Sequence, residues 1–319
     1  MDAAFAGWRT VRSPVTEAML GPLEPRCEAI TLRTQLTDAQ FARLAESMRA
    51  RPDVRLFVSE CYDGSIRDLE FLRYFRWFEK FFIDVLSVES LAGLRFLTGL
   101  NDLWVGQTRR LVSLTPLAEL TSLRHLSLEG PFKDYQALSA LTGLRSLTLR
   151  SVTLPDLSAL TPMAGLLALD LKLGGTRDLA LLPAFGQLQY LELWMIRGFS
   201  DLTPVAELAS VDTLFLQSLT HVTALPDLSK MTKLRRLHLE TMKALIDLTP
   251  LLTAPALEEL ILTQMGHLLP GQIAPLAAHP TLRRASIAMG SQKKTSAAQA
   301  ALPLPRADTS KGHPAFHAP

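Results

Sequence analysis

Cysteine and asparagine are nearly missing from this chain of 319 residues, and long apolar runs are missing altogether. Two cysteines, Cys27 and Cys61, cannot build the disulfide framework of a small secreted domain, and they fit reduced thiols in a reducing compartment. No uninterrupted stretch reaches the roughly 18 apolar residues of a membrane span. The opening MDAAFAGWRT has no basic start followed by a hydrophobic core, so no secretory signal is expected. The formal charge of +2 lacks both the basic excess of a dedicated nucleic-acid binder and the acidic excess of a solvating tail. These absences point to a cytoplasmic protein. Alanine and arginine usage points to a GC-rich bacterial genome.

Catalytic signatures are equally scarce. There is no HExxH, no CxxC, no GxSxG elbow, no P-loop and no dinucleotide glycine fingerprint. The seven histidines, among them His125, His221, His238, His267 and His279, show no pairing at metal-ligand spacing, so structural or solvent roles are expected. The string LGGTRD at 173–178 reads as a turn. No metal, no cofactor and no enzymatic activity are expected.

What the chain has in abundance is leucine at regular intervals. The triplets LWV, LSL, LTL, LDL, LEL, LFL, LHL and LIL begin at 103, 126, 147, 169, 191, 214, 237 and 260, at steps of 21–23 residues. Apolar residues precede most of them at three-residue steps, as in Leu117, Leu120, Leu123, Leu126 and Leu128. Degenerate copies extend both ends: ITL at 30–32, LFV at 56–58, FFI at 81–83 and ASI at 285–287. A period near 22 cannot be one long helix or a heptad array. It fits one short strand and one return segment per coil, and no coil can bury its leucines alone, so the coils must stack.

The segments SLTPLAELTSLRHLSL (113–128), DLTPVAELASVDTLFL (201–216) and DLTPLLTAPALEELIL (247–262) resemble the short leucine-rich repeats of internalins and of phosphatase-regulator-type proteins. The likeness covers roughly residues 78–290. It implies an α/β repeat, a leucine-rich-repeat solenoid shaped as an arc or horseshoe, with a parallel concave sheet that binds other proteins and short helical or irregular convex segments. One departure is clear. At the turn where those repeats carry asparagine, this chain has Thr108, Pro131, Val152, Gly174, Ile196, Leu219, Met242 and Met265. Those turns must satisfy their backbone groups by other means.

The expected organisation is a cap region at 1–53 containing an amphipathic helix over 37–50, the solenoid over 54–290, and a C-terminal cap and disordered tail over 291–319. Thr37 or Asp38 can cap the first helix, and a short helix around 295–302 is expected in the second cap. In the TP dipeptides, threonine suits a helix cap and proline the first helical position.

Alternation along a strand puts the triplet leucines inward and the residues between and beside them at solvent. On that basis Asp170, Tyr190, Glu192, Trp194, Phe215, His238 and Glu240 form a candidate partner-binding surface. Tyr190, Trp194 and Phe215 serve as apolar anchors, and Asp170, Glu192 and Glu240 select a basic or polar segment. Asp170 and Glu192 should be cross-strand neighbours, a repulsive pair unless Lys172 and Arg150 neutralise it or a partner supplies a cation. The aromatics Phe57, Phe82 and Trp104 are instead expected beneath the first 27 residues, including Phe5 and Trp8, because a solenoid end needs a cover. The function these readings support is a non-catalytic protein-interaction module, a regulatory adaptor or toxin-neutralising protein. Alternatives are nucleic-acid binding through Arg150, Lys172, Arg236 and Arg284, or a hydrolase with an unrecognised site.

Overall fold

A computed structural model describes residues 7–309. The chain forms two compact units, Met1–Gly143 and Leu144–Pro319. In the first, six parallel strands lie side by side: β1 (Trp8–Val11), β2 (Ala29–Leu32), β3 (Arg55–Ser59), β4 (Lys80–Asp84), β5 (Asp102–Val105) and β7 (His125–Glu129). A second, two-stranded ladder joins β6 (Val112–Ser113) to β8 (Phe132–Lys133). In the second unit seven parallel strands follow in chain order: β9 (Ser146–Arg150), β10 (Ala168–Lys172), β11 (Tyr190–Trp194), β12 (Thr213–Gln217), β13 (Arg236–Glu240), β14 (Glu259–Thr263) and β15 (Arg284–Ala288). Every triplet expected as a strand is one, and the leucines of successive triplets pair in register, as Leu169↔Leu191 and Leu171↔Leu193 do.

The return segments are mostly short 3-10 turns, and the leucine spacing explains why. A 3-10 helix has three residues per turn. In one coil the N–H of Leu117 donates to the carbonyl of Leu114, Leu120 to Leu117, and Leu123 to Leu120. All four leucines are at most 2% exposed. Apolar residues at three-residue steps therefore line one edge of the turn and face the leucines of the strands. An α-helix at 3.6 residues per turn would rotate them off that edge.

Threonine does not cap these turns. Thr203 and Thr249 lie within them, each followed by a first-turn proline. The cap is the aspartate two residues earlier: Asp201 and Asp247 accept from the Thr203 and Thr249 N–H groups at 2.9 and 2.8 Å. Asp156, Asp178 and Asp227 do the same for Ser158, Ala180 and Ser229. Serine serves in the same position, as Ser113 accepts from the Thr115 N–H and Ser90 from the Ala92 N–H at 3.2 Å, so the position two residues before the free N–H defines this cap. The N–H and hydroxyl of Thr249 hold Asp247 below the ordinary carboxylate range.

The missing asparagines are replaced by a backbone device. The residue after each strand of β9–β14 takes a left-handed conformation, with φ between 50° and 57° for Ser151, Leu173, Met195, Ser218, Thr241 and Gln264. Each N–H still continues the ladder, donating to the last carbonyl of the neighbouring strand (Leu173 to Trp194, Met195 to Gln217, and Thr241 to Thr263, at 2.8–3.0 Å), and the positive φ turns the chain after it out of the strand. The following residues Val152, Ile196, Leu219, Met242 and Met265 are buried as an apolar column. The Met242 N–H even donates to the Met265 sulfur at 3.3 Å. Gly174 breaks the column because a Cβ there would sit 2.1 Å from the Val152 carbonyl oxygen.

Both ends carry helices. Asp38–Arg49 begins at a capping box, in which the Thr37 hydroxyl accepts from the Gln40 N–H and the Gln40 side chain accepts from the Thr37 N–H. Gln292–Ala301 starts at Ser291, whose hydroxyl accepts from the Lys294 N–H.

Candidate protein-binding surface

The solvent face of the second unit's sheet is built from three columns of side chains. The middle column runs through Thr148, Asp170, Glu192, Phe215, His238 and Ile261. The flanking columns bring Tyr190 beside Thr213 and Arg236, and Lys172 beside Trp194, Gln217 and Glu240. The candidate residues therefore lie on one face in the expected register. Their accessibility divides them into two groups.

Asp170, Tyr190 and Glu192 are buried, at 0%, 3% and 6% exposed. This corrects the expectation that all three stand free for a partner. The reason is local: columns on adjacent strands are about 4.8 Å apart, so long side chains fold across one another. Lys172 lays its ammonium between the two carboxylates, 3.2 Å from Asp170 Oδ1 and 2.9 Å from Glu192 Oε2. The Thr148 hydroxyl donates to Asp170 Oδ2 at 3.0 Å, and the Tyr190 hydroxyl donates to Glu192 Oε2 at 2.9 Å. The cation that the carboxylate pair demands is thus supplied by the chain itself. Burial pushes the Glu192 carboxyl up, Lys172 pulls it down, and the nearby Asp170 adds to the rise. Burial pulls Lys172 down, but the attraction of Asp170 and Glu192 outweighs it and raises its ammonium. Tyr190 is raised by burial and by the two carboxylates, so it stays a donor.

Trp194, Phe215, His238 and Glu240 form the accessible group, each half-buried. Phe215 and His238 are stacked, with ring centres 4.2 Å apart and planes within 2°. The His238 ring pairs with the Thr263 hydroxyl at 3.1 Å. Burial and the neighbouring Arg236 guanidinium push His238 down to about 4, so it is a neutral aromatic at physiological pH. Glu240 accepts from Gln217 at 2.9 Å, and burial raises its carboxyl. The Arg150 guanidinium lies over the Trp194 ring, 5.3 Å from its centre. The Trp194 indole N–H is enclosed and has no hydrogen-bond partner. The Arg150–Trp194 pair spans two strand spacings, and the column spacing alone could have suggested it, since both occupy the same column.

In the first unit the sheet face carries an aromatic row, and the expected cover of Phe57, Phe82 and Trp104 takes the form of one more ring in it. Trp8 stacks on Phe57 at 4.8 Å, Phe57 leans on Phe82 at 5.1 Å, and Phe82 lies flat on Trp104 at 4.1 Å. Trp8 arrives on β1, an additional strand of the sheet, and the four rings are half-buried. Phe5 lies outside the described residues. Gly106 permits the flat stacking, since a Cβ there would come within 2.6 Å of the Trp104 ring.

Among the described residues no group of three or more His, Cys, Asp or Glu side chains is placed to hold a metal ion. No helix among them is long and apolar enough to cross a membrane.

No family model and no curated protein matches the chain. Solved structures do. An internalin from Listeria monocytogenes superposes with a TM-score of 0.62 at 22% identity, covering 81% of this chain and 72% of the other. A leucine-rich-repeat protein from Leptospira interrogans superposes with a TM-score of 0.50 at 16% identity, covering 97% and 95%. At these identities the likeness establishes the fold. The chain is an α/β leucine-rich-repeat solenoid with internalin-like coils, in which an asparagine ladder is replaced by left-handed turns and buried apolar side chains.

Proposed function

We propose that this protein is a non-catalytic interaction module that binds a partner protein on the sheet face of its second unit. Trp194 and the Phe215–His238 stack are the apolar anchors, and Glu240 favours a basic or polar segment of the partner. One observation carries the reading. The half-buried aromatics lie beside an internally paired cluster of Thr148, Asp170, Lys172, Glu192 and Tyr190 on the same face, whose members Asp170, Tyr190 and Glu192 are buried. Aromatic side chains held rigid in this way offer large contact area at little cost in side-chain freedom, as interface hot spots require. Regulatory adaptor, toxin-neutralising protein and secreted effector are the forms this function could take.

Affinity capture from the native organism's lysate tests it, comparing the wild-type chain with Trp194→Ala and Phe215→Ala. A hot-spot anchor contributes about 2 kcal/mol or more, so each variant should recover its partner at least tenfold less efficiently. Equal recovery by wild type and both variants would refute this placement of the site. Glu192→Arg is a poor probe, because it forces a guanidinium into a position 6% exposed and would disturb folding before it reports on binding.

A further inference from the structure

The chain leaves its last helix at Leu302, which is buried, and continues through Pro303 and Pro305 without regular secondary structure. Proline at these positions removes two N–H donors and keeps the segment out of helix and ladder pairing. Its carbonyls are used instead. The Ala285 N–H, on the outer side of β15, donates to the Pro305 carbonyl at 2.9 Å. Three residues on, the Arg236 guanidinium donates to the Asp308 carbonyl at 2.6 Å. Between these contacts Ala307 is 6% exposed.

Covering a solenoid end explains the first contact, since an open strand edge needs a partner. It does not explain the second. Arg236 stands on β13, two strands in from the edge and about 9.5 Å away at the usual strand spacing. The Arg236 side chain reaches outward to Glu259 on β14, and the segment turns from the edge onto the sheet face to meet that guanidinium. Its two main-chain contacts read carbonyl groups, which any extended peptide offers.

We infer that the face over β13–β15 is a docking surface for an extended peptide segment, and that residues 303–309 of this chain occupy it as a displaceable strap. This rests on the protein-binding reading of the same sheet. A partner would then enter with an extended, proline-containing segment of its own, bonded through its carbonyls to the Ala285 N–H and to Arg236. The strap sets the threshold for that exchange. An intramolecular occupant acts at an effective concentration on the order of millimolar, so weak competitors are excluded.

The exposed Arg306 makes the strap readable by limited trypsin digestion of the full chain, because a seated segment cannot enter the protease cleft. Cleavage after Arg306 should be at least tenfold slower than in a free peptide of the same sequence. Arg236→Met removes a close partner of Glu259 as well, so it is assayed well below its own melting transition, where it should accelerate cleavage after Arg306 at least tenfold without opening other sites in the chain. A peptide spanning 302–309, with citrulline in place of arginine so that it resists trypsin, should accelerate cleavage of the wild-type chain at least threefold when supplied at several millimolar. Acceleration in both arms supports displacement. Cleavage already as fast as in the free peptide, or no acceleration in either arm, overturns it. No outside partner enters these measurements, so their failure leaves the lysate capture to judge the face itself.

Discussion

Lys172 is the side chain on which the candidate surface depends. It places one ammonium against two carboxylates in a layer where Asp170 is wholly enclosed and Glu192 nearly so. Removing one partner of a buried ionic group leaves an uncompensated charge, which costs about 3–5 kcal/mol. Lys172→Met should cost about 3 kcal/mol, the lower end, since the lysine side chain keeps 19% exposure. Adding Asp170→Asn and Glu192→Gln should restore most of the loss, because the layer then holds neutral groups that still hydrogen-bond. Equilibrium denaturation of the single and triple variants measures both effects, and an unaltered midpoint for Lys172→Met would show that water, not lysine, balances the carboxylates. Neither charge sign nor spacing could reveal which of several nearby cations does this. Lys172 and Arg150 occupy the same column one strand apart, and Arg150 is the one that lies over Trp194.

The turns after the strands show how a coil tolerates an unusual residue. A left-handed conformation costs a residue with a Cβ about 1–2 kcal/mol, and more for a β-branched one. Thr241 adopts it at φ 55°, held there by its N–H bond to the Thr263 carbonyl. Thr241→Gly should relieve that strain while losing about 0.5–1 kcal/mol to the freer unfolded chain. A net gain of about 0.5–1 kcal/mol is expected, visible as a higher denaturation midpoint. The same replacement at Thr213, inside β12, should lower the midpoint instead, because no backbone strain is relieved there and the hydroxyl bond to Asp212 is lost as well. The turns also mark the limit of legibility. Leucine spacing implies a short helical or irregular return in every coil without specifying its 3-10 form, and it does not mark the aspartate caps at Asp201 and Asp247. Their motif is visible as DLTP, but which of two polar residues reaches the N–H depends on backbone geometry.

At the scale of the whole molecule the formal charge is only +2, and several of the cations that a polyanion would need are paired. Arg236 is bound to Glu259, Lys172 to Asp170 and Glu192, and Arg235 to Glu258. Binding to a polyanion requires cations that can release counterions from phosphates, and these are already engaged. The chain should pass through a heparin column at about 0.15 M salt; retention with steep salt dependence would revive the nucleic-acid alternative. The strap over β13–β15 belongs to this level too, since it joins residues 72 apart in sequence.

Leucine spacing alone was enough to specify the architecture. A strand-and-return period of 21–23 residues has one stable outcome, stacked parallel coils, because each coil's apolar edge can be buried only by the next. Strand register followed from the same repeat, and with it the membership of each column on the sheet face. Which members of a column reach solvent did not follow. Asp170, Tyr190 and Glu192 alternate correctly and are nevertheless buried, because side chains on neighbouring strands close over one another in combinations that depend on their lengths and charges. Residues 303–309 carry no periodic signal at all. Main-chain carbonyls of Pro305 and Asp308 help to hold them on the face, and every residue has a carbonyl, so only the folded geometry could choose which ones are used.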